Sequence, residues 1–145
     1  MLPSAILFVC TMNSVRSPMA AALMRHLTAK GVYVESAGVR AGALDPLAVE
    51  AMEEIGLEIG KHKPRRFEDL EDGSFDLVIT LSPEAQHKAM ELTRTAATKV
   101  EYWPTIDPTA VEGSREQRLA AYRAVRDQLL ERLKKRFLAS KAADT

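Results

Sequence analysis

Residues 5–18 read Ala5-Ile6-Leu7-Phe8-Val9-Cys10-Thr11-Met12-Asn13-Ser14-Val15-Arg16-Ser17-Pro18. Ala5–Val9 are apolar without polar alternation, the pattern of a strand covered on both faces. Ser17-Pro18 then sets a capping residue before a proline at a first helical position. Ala20, Leu23, Met24 and Leu27 follow at the i, i+3, i+4, i+7 spacing of one buried helix face. A buried strand, a short loop and a helix in immediate succession form the opening unit of an α/β layer fold.

The same grammar continues outward. Strands are expected at Ala5–Val9, Val32–Ser36, Asp76–Leu81 and Lys99–Trp103, each read as covered on both faces. Asp45-Pro46 and Ser82-Pro83 repeat the cap-proline start. After the first of these, Ala48, Ala51, Met52 and Ile55 mark a buried face, with Gly56 as the C-cap. Ser114-Arg115-Glu116-Gln117 is a capping-box pattern, and Tyr122, Val125, Leu129, Leu133 and Phe137 form the stripe of a long last helix. Strands alternating with helices predict a largely parallel sheet flanked by helices, with ligands bound at the carboxyl ends of its strands. No internal repeat or linker interrupts residues 1–140, read as a single domain, and residues 141–145 form a polar tail.

The 145 residues suffice for one packed core. Twenty basic and twenty acidic residues balance to zero, which disfavours a general nucleic-acid binder or a protein drawn to acidic membranes. One cysteine permits no internal disulfide, and three histidines leave little for a structural metal site. The N-terminal apolar run lacks a basic leader and is too short to span a bilayer. A reduced, cytoplasmic protein is expected.

The loop after the first strand places Cys10 five residues before Arg16, between a strand end and a helix start. Such a loop can turn successive amides inward as an anion nest. Asn13 tolerates the left-handed backbone the loop requires, and a folded-back Arg16 can grip two phosphoryl oxygens. The same donors, with Ser17 beside the sulfur, stabilise a thiolate. A second reading stands on these residues alone: a cysteine closing a buried strand also serves as an inert, small apolar group. Walker and dinucleotide glycine motifs are absent.

An ester oxygen leaving phosphorus needs a proton, so an acid must face the nucleophile. Asp107, in Trp103-Pro104-Thr105-Ile106-Asp107-Pro108, lies just past the last expected strand, on the same sheet edge as Cys10. Asp-Pro is also this chain's own capping idiom, so a plain cap is the alternative. Lys61-His62-Lys63-Pro64-Arg65-Arg66 reads as a solvated basic loop, with anion steering as the alternative, and Trp103 as packing at a strand end, with a substrate platform as the alternative.

Five ordered blocks carry a family likeness: ILFVCTMNSVRSP, VESAG at Val34–Gly38, DPLAVEAMEEIGLEIGKHKPRR, FDLVITLS and the late Asp107-Pro108. Together, over about Ile6 to Phe137, they resemble the low-molecular-weight protein tyrosine phosphatase family and the arsenate reductases of the same fold. The resemblance implies a three-layer α/β fold around a four-stranded parallel sheet, the phosphotyrosine protein phosphatase I-like architecture. It implies a metal-independent, cofactor-free phosphatase acting on phosphomonoesters, protein phosphotyrosine foremost, through a phosphocysteine. Cys10 would attack phosphorus and Asp107 would protonate the leaving group. Thr11, Met12, Asn13, Ser14, Val15 and Arg16 would form the phosphate-binding loop, supported by Ser17, Ser36 and His62. The expected partners are a phosphorylated protein or small molecule, and in the loop oxyanions such as phosphate, sulfate, vanadate or arsenate.

The chain departs from the family at several points. Met12 stands where a glycine is common, Val15 where a second cysteine often sits, and Thr109-Ala110 where aromatic residues usually follow the Asp-Pro. No cysteine follows Cys10, so an internal disulfide relay is impossible, and arsenate reduction would require an external small thiol. An idle phosphate-binding or regulatory module is the remaining alternative.

Overall fold

The computed structural model describes residues 2–29, 31–70, 74–93 and 97–138. The expected tail at 141–145 lies outside them. Four parallel strands, β1 (Ala5–Cys10), β2 (Tyr33–Gly38), β3 (Leu77–Thr80) and β4 (Lys99–Tyr102), lie in the order β2-β1-β3-β4. Between and after them run α1 (Arg16–Thr28), α2 (Pro46–Glu53), α3 (Pro83–Thr93) and α4 (Arg115–Phe137). This is the four-stranded parallel sheet flanked by helices that the sequence predicts.

Strand parity divides the core. Successive side chains leave a strand on opposite faces. Ile6, Phe8 and Cys10 join the cluster formed with Met19 and Leu23 of α1, Ala51 and Met52 of α2, and Tyr122, Leu129 and Phe137 of α4. Leu7 and Val9 join the opposite cluster, with Val78, Phe75 and the α3 residues Ala85 and Ala89. The expectation of burial on both faces holds for β1 and β3, in part for β2 and not for β4. The last two are edges, and Tyr33 of β2 and Lys99 and Tyr102 of β4 are exposed.

Two of the three expected cap-proline starts cap helices. The Asp45 carboxylate accepts from the amide of Leu47 at 2.9 Å, and the Ser82 hydroxyl from that of Ala85 at 3.2 Å, each worth about 1 kcal/mol. Ser114 and Gln117 close the capping box on α4. Ser17 does not cap α1. The helix begins at Arg16, its N-cap is Val15 with no side-chain bond, and Ser17 turns its hydroxyl elsewhere. Ile55 also leaves its expected stripe and is exposed, because α2 ends at Glu53. Gly56 turns the chain there at φ +79°, with Gly56 N–H on Glu53 O and Leu57 N–H on Met52 O.

Charge ties α2 to α4. Arg126 donates to Ala51 O at 2.7 Å and, with Arg123, clasps Glu54. The Arg123 guanidinium first, then that of Arg126, draws the Glu54 carboxyl down to about 2. Nearer the carboxyl ends of the strands, the buried Tyr122 hydroxyl donates to Asp45 Oδ2 at 2.6 Å. Burial, then Asp45, holds this phenol well above its usual range.

Tyr122→Phe strips Asp45 of that donor and is expected to lower stability by about 2 kcal/mol. Urea unfolding would measure it, and an unchanged midpoint would show that the bond contributes nothing.

Candidate active site

The loop between β1 and α1 is built by the loop that follows β2. Val39 N–H bonds Cys10 O at 3.0 Å, Arg40 N–H bonds Thr11 O at 2.8 Å, Gly42 N–H bonds Met12 O at 2.9 Å, and Asp45 N–H bonds Ser14 O at 3.2 Å. Four loop carbonyls are thereby fixed outward. In a trans peptide the following N–H points the other way, so the amides of Thr11, Met12, Asn13 and Val15 are aimed away from the bracing loop. A concavity of aligned amides at a helix start attracts an anion. Gly38 makes the close approach possible: a Cβ there would lie 2.5 Å from Arg40 O and 2.7 Å from Asn13 N.

Asn13 holds the loop's shape. It is fully buried at φ +54°, a left-handed conformation that asparagine accepts more readily than most residues. Its Oδ1 accepts from Arg65 N–H at 3.0 Å, which fixes the orientation of the carboxamide. Nδ2 then donates to Ser17 Oγ at 2.7 Å and to Ser36 Oγ at 3.0 Å. His62 Nε2 lies 3.0 Å from Oδ1 and 3.3 Å from Asn13 O. Both are acceptors, so Nε2 carries the ring proton.

At the centre lies Cys10, 2% exposed, its sulfur 2.9 Å from Ser17 Oγ and 3.3 Å from Asn13 N. Ser17 Oγ also lies 3.2 Å from Ala37 O, and it has one proton to give. With Cys10 as a thiol, that proton goes to Ala37 O and the sulfur donates to Ser17. With a thiolate, Ser17 turns its proton to sulfur. Either arrangement leaves no donor without an acceptor.

Arg16 and Asp107 meet across the crevice. Arg16 Nη1 donates to Thr105 O at 3.0 Å, and Nη2 lies 3.9 Å from Asp107 Oδ2. Asp107 does cap, its Oδ1 accepting from the Thr109 amide at 3.0 Å and hydroxyl at 2.7 Å. The cap occupies Oδ1, and Oδ2 is the oxygen turned to Arg16. Thr11 Oγ1 donates to Ser82 Oγ at 3.0 Å, fastening the other flank of the loop to the end of β3.

The structure thus gathers Cys10, Asn13, Arg16, Ser17, Ser36, His62 and Asp107 at one sheet edge, with Met12 partly exposed and Val15 buried. The sequence reading missed Arg65, taken there for part of a solvated loop. Its amide holds Asn13, and its guanidinium bonds Ser36 O at 3.1 Å and pairs with Glu35. Thr109 was also missed as the residue orienting Asp107. The Asp-Pro-Thr spacing, a capping acid with a hydroxyl two residues on, was the available signal. Trp103 is buried at the end of β4, under the Arg132 guanidinium 4.8 Å above its ring. Among the described residues no cluster of three or more His, Cys, Asp or Glu could hold a metal ion.

Burial holds the His62 imidazole below the ordinary histidine range; Arg65 and Arg25 add to this, while the Asn13 main chain and Glu35 oppose it. The folded ring binds fewer protons than the unfolded one, so its contribution lowers stability as pH falls below about 6.5. His62→Gln is expected to flatten the fall in Tm between about pH 7 and pH 5.5; parallel curves for the two proteins would contradict this. Gly38→Ala should weaken inorganic phosphate binding by about tenfold or more, since each lost charge-assisted contact is worth over 1 kcal/mol. Calorimetric titration would read that directly.

Comparison with known proteins places this geometry. Residues 5–144 match the family described as low molecular weight phosphotyrosine protein phosphatase. The chain is 39% identical to an arsenate reductase of Shouchella clausii over 131 residues, 90% of this chain and 92% of that protein. It is 35% identical to an arsenate reductase of Bacillus subtilis, over 89% and 91% of the two chains. The arginine phosphatase YwlE from Geobacillus stearothermophilus superposes with a TM-score of 0.77 at 28% identity, covering 98% of this chain and 94% of that one. With sequence and fold agreeing over nearly the whole chain, this protein belongs to the low molecular weight phosphotyrosine protein phosphatase family.

Proposed function

We propose that the protein is a metal-independent phosphatase that hydrolyses phosphomonoesters, protein phosphotyrosine foremost, through a phosphocysteine at Cys10. One observation carries the reading: the Cys10 sulfur sits 2.9 Å from Ser17 Oγ and 3.3 Å from Asn13 N, in a loop whose carbonyls are fixed outward. The Cys10 thiolate attacks phosphorus. An S–P bond forms, the P–O ester bond breaks, and the leaving oxygen takes its proton from Asp107 Oδ2, the oxygen not held by Thr109. Arg16 leaves Thr105 O for the equatorial oxygens, and the loop amides of residues 11 to 16 share their charge. Asp107, now a base, takes a proton from the water that attacks the phosphocysteine. Phosphate departs and the thiolate is restored.

Met12 on the loop and Ile106 beside the acid are 37% and 73% exposed. They are the apolar surfaces offered to the leaving group in place of aromatic residues after Asp107-Pro108. An arsenate-reductase reading draws support from the relatives that bear this name. Reducing arsenate to arsenite takes two electrons, carried off as a disulfide. Cys10 supplies one sulfur at most, so the second must come from an external thiol.

The test is hydrolysis of p-nitrophenyl phosphate, phenyl phosphate and a phosphotyrosyl peptide in EDTA and reductant. Cys10→Ser should abolish turnover. Asp107→Asn should lower kcat by about 10²-fold or more on phenyl phosphate, and less on p-nitrophenyl phosphate, whose leaving group needs little protonation. A folded protein with reduced Cys10 that turns over none of the three would sink the proposal, and thiol-dependent arsenite formation by that protein would replace it.

A further inference from the structure

Behind the phosphate loop lies a cavity of about 420 Å³, separate from the crevice that Cys10 faces. Arg25 and His26 of α1 and Lys61 and His62 of the segment after α2 line it, with Ser36 at its wall. Its carboxylate, Glu58, turns back to the amide of Gly60 in its own turn. Arg25 keeps Nη2 on Val34 O at 2.7 Å and 3.9 Å from Glu35 Oε2, and its side chain stays half exposed. The side chains of Lys61 and His26 have no hydrogen bond or ion pair among the described residues.

His62 is the informative wall. Its Nε2–H is committed to Asn13, so Nδ1 is its free edge. Among the described residues nothing bonds Nδ1, and it is not a buried atom left without a partner. The ring lines the cavity, and Nδ1 is its one nitrogen free to serve a ligand there. His62 and Ser36, the two cavity residues that also bond Asn13, separate it from the loop.

We propose that this cavity is a second anion site, binding a small multivalent carboxylate or phosphate between Arg25, Lys61 and the Nδ1 edge of His62. Neutral His62 presents a lone pair at Nδ1, which repels an anion. Protonated His62 presents a donor. Binding therefore takes up a proton, and affinity rises as pH falls. The charged and titratable groups around the ring are Arg25 and His26 from α1, Glu35 from β2, and Glu58, Lys61 and Arg65 from its own segment. Burial first, then Arg65 and Arg25, disfavours His62⁺ in the empty site, and a bound anion offsets the field of the two arginines. The volume exceeds that of a single phosphate, so the fit is to a citrate-sized ligand. None of this depends on which reaction Cys10 performs.

The probe is citrate against matched chloride, read from the His62 imidazole resonances across a pH titration of the whole protein. Citrate should raise the proton affinity of His62 about tenfold, the size of effect a close opposite charge produces. Arg25→Gln/Lys61→Gln should lose that response while inorganic phosphate still binds the Cys10 loop with affinity changed less than about twofold, as expected for separate sites. Lys61→Gln alone, at an exposed residue, should weaken the response without disturbing the fold. A His62 titration indifferent to citrate would overturn the proposal. An equal response in the double variant would place citrate in the phosphate loop and overturn it as well.

Discussion

A carboxamide can donate two hydrogen bonds and accept two, and Asn13 uses all four. Its donors hold Ser17 and Ser36; its acceptor takes His62 and the Arg65 amide. Four points, one on α1, one on β2 and two in the segment after α2, are thus referred to one buried side chain with left-handed backbone. Neither property survives replacement by a residue of similar size. Aspartate has no donors for the two serines, and leucine neither donates nor accepts while resisting the backbone angle. The position of Ser17 against the Cys10 sulfur follows from this junction.

The bracing loop acts on the same structure from outside. By taking the carbonyls of Cys10, Thr11, Met12 and Ser14, residues 39–45 determine where the loop amides point without entering the cradle. Asp45 ends that brace and begins α2, and Tyr122 of α4 fixes its carboxylate. Arg16 performs the matching task for Asp107, since one guanidinium reaches Thr105 and Asp107 from the first turn of α1. The segments bearing Cys10 and Asp107 are thus joined before any ligand arrives.

The strands and helices were readable because their signals are local: apolar runs, helical spacing and cap-proline pairs. The cysteine loop was readable from its place between strand and helix. What escaped was whatever a residue does across the fold. Ser17 carries the local signature of a cap, and its place beside the Cys10 sulfur was readable, but its bonds with Asn13 and Ala37, outside its helix, were not. Arg65 looks like one charge in a basic run, because the useful group is its main-chain amide, which no side-chain pattern reports. β4 looks like an interior strand because strand order is not written in any one strand.

The division of the core by strand parity also sets an order of events in synthesis. Ile6 pairs with Leu77, and the face that holds Phe8 and Cys10 is closed by Tyr122, Leu129 and Phe137. No early fragment can complete either side of β1. A ribosome adds about 5–20 residues each second, so the strand ending in Cys10 waits on the order of ten seconds for the helix that covers it. Throughout that interval the sole thiol of the chain is a nascent-chain thiol, outside the junction that later governs it.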